Sequence, residues 1–203
     1  MRPPILFAAG GMIVVAAFAL GVVLAFGQSS AEVSAVRGTA LAVDTNVDGN
    51  TKSSLGDLQR CREVSVGSSL AVDVTVRDIP SSPDVARSGM MAFEFVLLYD
   101  PEVLRVTSVD TKLLIDNNPR SDLVDLTPEI SQTPGRYTVA VADFGSGSNE
   151  AGSGPIARVS FEVVGSGTSR LVLGDAKVAA SADHVHQLAD VEGGEIRVGE
   201  SCA

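Results

Sequence analysis

From residue 39 onward, apolar and polar residues take turns along the chain. Leu70, Val72, Val74 and Val76 alternate with Ala71, Asp73, Thr75 and Arg77, and Ala157, Val159, Phe161 and Val163 alternate with Arg158, Ser160 and Glu162. A period of two is that of strands with one buried face. Phe93, Phe95, Leu97 and Tyr99 repeat it, but the positions between them, Ala92, Glu94, Val96 and Leu98, are greasier than a solvent face requires. The run ends at Asp100-Pro101, because proline has no N–H to give to a ladder.

The same pattern predicts strands over 39–45, 63–78, 90–99, 103–109, 136–144, 155–164, 169–179 and 194–199, with a short one inside 122–131. Turn residues recur every ten positions or so, and no stretch of this part holds a 3.6-residue period, so no substantial helix is expected. Eight or nine short strands imply an all-β protein of two packed sheets with Greek-key or jelly-roll connections.

The N-terminus reads differently. Ile5 to Phe26 carry no charge and no polar side chain, a length suited to a transmembrane helix. Residues 1–27 are therefore a retained signal anchor, or a signal peptide cut near Ala25-Phe26-Gly27. Residues 28–38 form a small, polar tether and 39–203 the domain, placed outside the cytoplasmic membrane. The formal charge of −10 argues against nucleic acid and anionic membrane surfaces as partners. Export permits a disulfide between the two cysteines, Cys61 and Cys202, or leaves two free or intermolecularly paired thiols.

Three motifs suggest chemistry. Asp44, Asn46 and Asp48, followed by Gly49, open like a calcium loop, but the twelfth position is Leu55 rather than glutamate, so calcium binding is expected to be weak. The glycine-rich 145–154 is not followed by Lys-Ser/Thr and reads as a flexible loop. His184 and His186 fall on one side of an extended segment, half of a metal site or, more simply, a solvated loop. Gly-x-Ser-x-Gly is missing and these are the two histidines of the chain, so no catalytic role is expected.

The segments VSVGSSLAVDVTVRDIP and GMMAFEFVLLYDPEVLRVTSVD resemble the bacterial cohesin domain of cellulosomal scaffolds. Phe93, Phe95, Leu97, Tyr99, Asp100, Pro101, Val103, Leu104 and Val106 match the family's strand–Tyr-Asp-Pro–strand motif. GRYTVAVADFG, GPIARVSFEVVG, LVLGDAKVA and VEGGEIRV continue the likeness, which covers about residues 39–199. The resemblance implies a nine-stranded jelly-roll β-sandwich that is not an enzyme and that binds dockerin modules through one sheet face. It also sets the strands beside Cys61 and Cys202 next to each other, which implies that the two are bridged. The insert 44–62 is longer than the family's usual first turn.

Two functions follow: a cell-surface module that grips an exported, dockerin-like protein, or a carbohydrate-binding module of the same fold serving polysaccharide degradation. The resemblance puts Glu94, Val96 and Leu98, with Thr138, Ala140 and Ala142 of the neighbouring strand, on the partner-binding face. A sugar platform needs exposed rings. With no Trp in the chain, Phe144 and Tyr137 are the candidates.

Overall fold

The computed structural model describes residues 38–127, 133–147 and 149–202. The apolar segment 5–26 and the tether up to residue 37 lie outside the described residues. Twelve strands follow, more than the nine expected: β1 (Ala40–Asp44), β2 (Cys61–Val64), β3 (Ser69–Ile79), β4 (Ala92–Leu98), β5 (Leu104–Asp110), β6 (Leu123–Asp125), β7 (Arg136–Asp143), β8 (Gly152–Val163), β9 (Gly167–Ser181), β10 (His184–Val185), β11 (Asp190–Glu192) and β12 (Gly194–Val198). The smaller sheet has the order β11-β1-β3-β8-β5, and the larger β2-β12-β9-β4-β7-β6 with β10 paired to β9.

The inward set expected from the alternation forms the core between the sheets. Leu41, Val72, Val74, Val159 and Phe161 of the smaller sheet meet Phe93, Phe95, Leu97, Val139 and Ile196 of the larger, all buried. The Tyr-Asp-Pro corner carries the chain from β4 in one sheet to β5 in the other. There Asp100 accepts at its side chain from the Glu102 N–H and at its carbonyl from the Leu104 N–H, an Asx turn that lets Pro101 sit where no donor is needed.

The run 63–78 is not one strand. Gly67, at φ +82°, turns the chain in a conformation that favours glycine, and β2 and β3 enter different sheets. β2 pairs in parallel with β12 at the edge of the larger sheet. Beyond β12, Gly199 at φ +82° starts the turn that brings Cys202 back to Cys61. The two are bridged with their Cα atoms 5.9 Å apart, as the resemblance implied.

The insert after β1 folds over the outer face of the smaller sheet. Thr75 and Ala42 point outward there, yet both are fully buried. Asp73 of β3 lies between Asp44 of β1 and Arg158 of β8 in the register. Its carboxylate accepts two 2.8 Å hydrogen bonds from Arg158 and one of 3.0 Å from the Asn50 side-chain amide, which also donates to Asp44. Asn50 in turn accepts from the Gly56 N–H, so one side chain pins the insert to the sheet. The two carboxylates are out of water but hydrogen-bonded, the condition under which burial is tolerated.

Candidate functional site

The outer face of the larger sheet is open. Its outward positions follow from the registers. Ala92 of β4 stands beside Ala142 of β7 and Ala179 of β9. Val124 of β6 stands beside Ala142, and Val185 of β10 beside Ala179. One apolar row therefore crosses five strands, roughly 19 Å at the ~4.8 Å strand spacing. One position along, the Leu126 N–H donates to the Ala140 carbonyl, extending the row's edge.

The alanines, having only a Cβ, leave a trough of about 280 Å³ whose lining includes Ala92, Ala140, Ala142, Ala179, Val185 and Leu126. Leu126 is 66% and Val185 52% exposed, so the walls carry large apolar surface in open water. Phe144, beyond Ala142 on β7, is 66% exposed as well. Glu94 and Lys177, opposite each other on β4 and β9, are ion-paired at the rim. That hydrogen bond to Glu94 holds the Lys177 ammonium above its ordinary pKa.

Val96 was expected to be the exposed centre of this face; it is 4% exposed. A bulge in β9 between Gly174 and Lys177 puts Asp175 at φ +48°, and its carboxylate reaches Arg136 at 3.8 Å. β7 and β9 flank β4 on opposite sides, so this ion pair spans β4. Leu98 stays 38% exposed but borders a separate, polar cleft of about 620 Å³ with Arg170, Arg197, Glu195 and Glu200. Thr138 lies beside Val96, and Ala140 and Ala142 lie in the trough. The apolar patch thus exists, shifted along the sheet from Val96 and Leu98 to the alanine row. Leu126 and Val185, which the sequence pattern did not single out, form its walls. Residues 123–125 add β6 to the sheet edge, and Leu126 just beyond it lines the trough.

In the calcium-like loop the Asp44 carboxylate accepts from the Asn46 and Gln59 N–H groups and from Asn50, and the Asn46 side chain accepts from the Asp48 N–H. No cluster of three or more His, Cys, Asp or Glu suited to a metal occurs among the described residues. Asn50, not an acid, is the residue that ties the loop together.

Three further expectations change. His186 is buried and its Nε2–H donates to the Gly89 carbonyl at 2.7 Å, so it is no solvated loop residue. Gly145 and Gly147 do not mark slack: a Cβ at Gly145 would lie 2.0 Å from the Arg120 carbonyl, and one at Gly147 2.2 Å from the Asn118 amide. Beside them Glu150 is buried, with Oε2 unpartnered. Burial pushes its carboxyl above the usual range, Asp143 and Asp116 add to this, and backbone N–H groups of Glu150 and Asn118 oppose it. Tyr137, one of the two candidate sugar-stacking rings, is buried.

A two-sheet sandwich with one covered and one open, alanine-floored face is the architecture of a binding module. The cohesin domain model matches residues 59–198, and the chain belongs to the cohesin family. The structure is similar to a non-cellulosomal cohesin from the archaeon Archaeoglobus fulgidus, at 18% identity and TM-score 0.55 over 80% of this chain and 92% of that one. It is also similar to the sixth cohesin of Acetivibrio cellulolyticus scaffoldin B, solved in complex with a Cel5 dockerin, at 17% identity and TM-score 0.54 over 79% and 99%. The cohesin module of a Clostridium perfringens family 33 glycoside hydrolase matches at 18% identity and TM-score 0.52 over 79% and 98%. No curated protein matches the chain.

Proposed function

We propose that this chain is a non-catalytic, exported protein-binding module that holds a dockerin-type partner on the alanine trough of its larger sheet. The observation that carries this is the trough itself: small side chains on three adjacent strands, walled by exposed Val185 and Leu126. An apolar depression with a charged rim suits a protein surface whose backbone comes close to the sheet. Solved cohesins of this fold occur in complexes with dockerins, which supports the choice of partner class. The apolar segment 5–26 supports export and a membrane tether. A polysaccharide ligand is the weaker reading, because Phe144 alone among the described aromatic residues is exposed.

Calcium at Asp44, Asn46 and Asp48 stays a weak-binding proposal, no tighter than the ~0.1–1 mM of extracellular modules. Calorimetric titration with calcium showing micromolar binding would refute it. For the partner, the full chain is immobilised and titrated with a panel of purified dockerin modules and, in parallel, a glycan array. Saturable binding of a dockerin with a blank array supports the assignment. Glycan binding without any dockerin binding overturns it.

A further inference from the structure

We infer that Asp175 is a specificity-determining contact on the open face of the larger sheet, taking a cationic side chain of the protein partner. The inference rests on the partner-binding reading and names the charge that the partner must bring.

The backbone carries the first part of the argument. Asp175 lies in the β9 bulge, between Gly174 opposite Val96 and Lys177 opposite Glu94. Its φ of +48° is left-handed, a conformation that glycine adopts freely and aspartate only at a cost. Where a bulge needs such a residue, it ordinarily uses glycine. Here the adjoining Gly174 has no positive φ, and the strained position holds an acid. The other aspartate with positive φ, Asp78, is tied down: its N–H donates to the Ser153 hydroxyl and its carbonyl accepts from the Thr39 hydroxyl. No comparable side-chain hydrogen bond holds Asp175 among the described residues.

The side chain carries the second part. Asp175 stands mid-strand in a sheet whose inner face is the core, so its side chain, 77% exposed, projects from the outer face. It falls between the Glu94–Lys177 rim of the trough and the Leu98–Val172 pair beside the polar cleft. Its ion pair to Arg136, at 3.8 Å, is too long for a hydrogen bond, so the carboxylate's lone pairs are unspent at the surface. Glu94 differs, because its carboxylate already accepts from Lys177. A cationic side chain of the partner would meet at Asp175 an acceptor aimed by the backbone, on a chain whose formal charge of −10 attracts basic partners. Bulges re-aim side chains in this way beside functional sites, and strained non-glycine residues collect there.

The test is surface plasmon resonance on the immobilised full chain with a dockerin that binds the wild type, alongside thermal melting of each variant. Asp175→Gly frees the backbone and deletes the carboxylate, whereas Asp175→Asn keeps the shape and removes the charge. The expected result is an affinity loss of at least about 10-fold in both, with the melting temperature of Asp175→Gly unchanged or raised. Binding by Asp175→Asn should also depend less on salt than binding by the wild type. Affinity kept by both variants while Ala142→Arg abolishes binding overturns the inference and leaves the trough reading standing. A melting temperature lowered by more than about 5 °C in Asp175→Gly makes the residue structural and overturns the inference as well. Affinity kept in all three variants, or no dockerin binding to the wild-type chain at all, overturns the reading together with the inference.

Discussion

The two sheets of this sandwich treat their outer faces in opposite ways. The smaller sheet is closed by its own chain: the 45–60 insert lies over β1, β3 and β8, and Asp44, Asp73 and Thr75 are almost wholly buried beneath it. The larger sheet leaves its face to solvent, with alanines where the other has a buried polar network. The charges differ to match. Asp73 holds Arg158 and Asn50 in place without access to water, whereas Glu94–Lys177 and Arg136–Asp175 are exposed pairs, worth about 0–1 kcal/mol each. The lesson is a division of labour: changes on the closed face should cost stability and leave recognition alone, and changes on the open face should do the reverse.

The largest expected effect lies outside both faces. Cys61 and Cys202 are 141 residues apart, and a bridge closing a loop of that length stabilises by about 4–5 kcal/mol on the chain-entropy model. Replacing both with serine should lower the melting temperature by roughly 10–20 °C at ~2–4 °C per kcal/mol, while the folded fraction still binds its partner. Calorimetric melting of the two forms checks this.

Next, Asp73→Ala leaves the Arg158 guanidinium and the Asn50 amide without their acceptor. The predicted cost is about 3 kcal/mol, somewhat softened because Arg158 is partly solvated. Denaturant unfolding measures it. Partner affinity at a temperature where the variant is folded should stay within about twofold; a larger loss would mean that the two faces are coupled.

The smallest effect concerns Glu150, at the end of the open sheet. Its folded pKa is raised, so the stability it confers is fully present below the unfolded value and declines as pH rises through the folded one. Glu150 should therefore contribute a loss of stability as pH rises. Glu150→Gln should flatten that slope and raise the melting temperature at pH values above the folded pKa. An unchanged slope in the variant would assign the pH dependence elsewhere.

What the sequence could and could not convey follows from how far each determinant reaches. Inward positions such as Phe93, Phe95 and Leu97 were legible because alternation is local. So was the disulfide, once the resemblance had paired the strands beside Cys61 and Cys202. Val96 was misjudged because its surroundings are set by the neighbouring strands, where β9 carries a bulge that no local pattern announces. The break in 63–78 was hidden by the apolar Val64 and Val66, although Gly67 marked the place. Nothing around Asn50 indicated that its amide would end on Asp73, and β10 and β11 are too short to show a period.

The claim that the alanine trough is the recognition surface is tested most directly by Ala142→Arg. The side chain would fill the depression beside Ala92 and Ala140 without entering the core. With a dockerin that binds the wild-type chain, surface plasmon resonance should show at least a ~100-fold loss of affinity, the scale of a hot-spot change, at a melting temperature within about 2 °C of wild type. Unchanged affinity in a stably folded variant would contradict the account and move the binding site off this face.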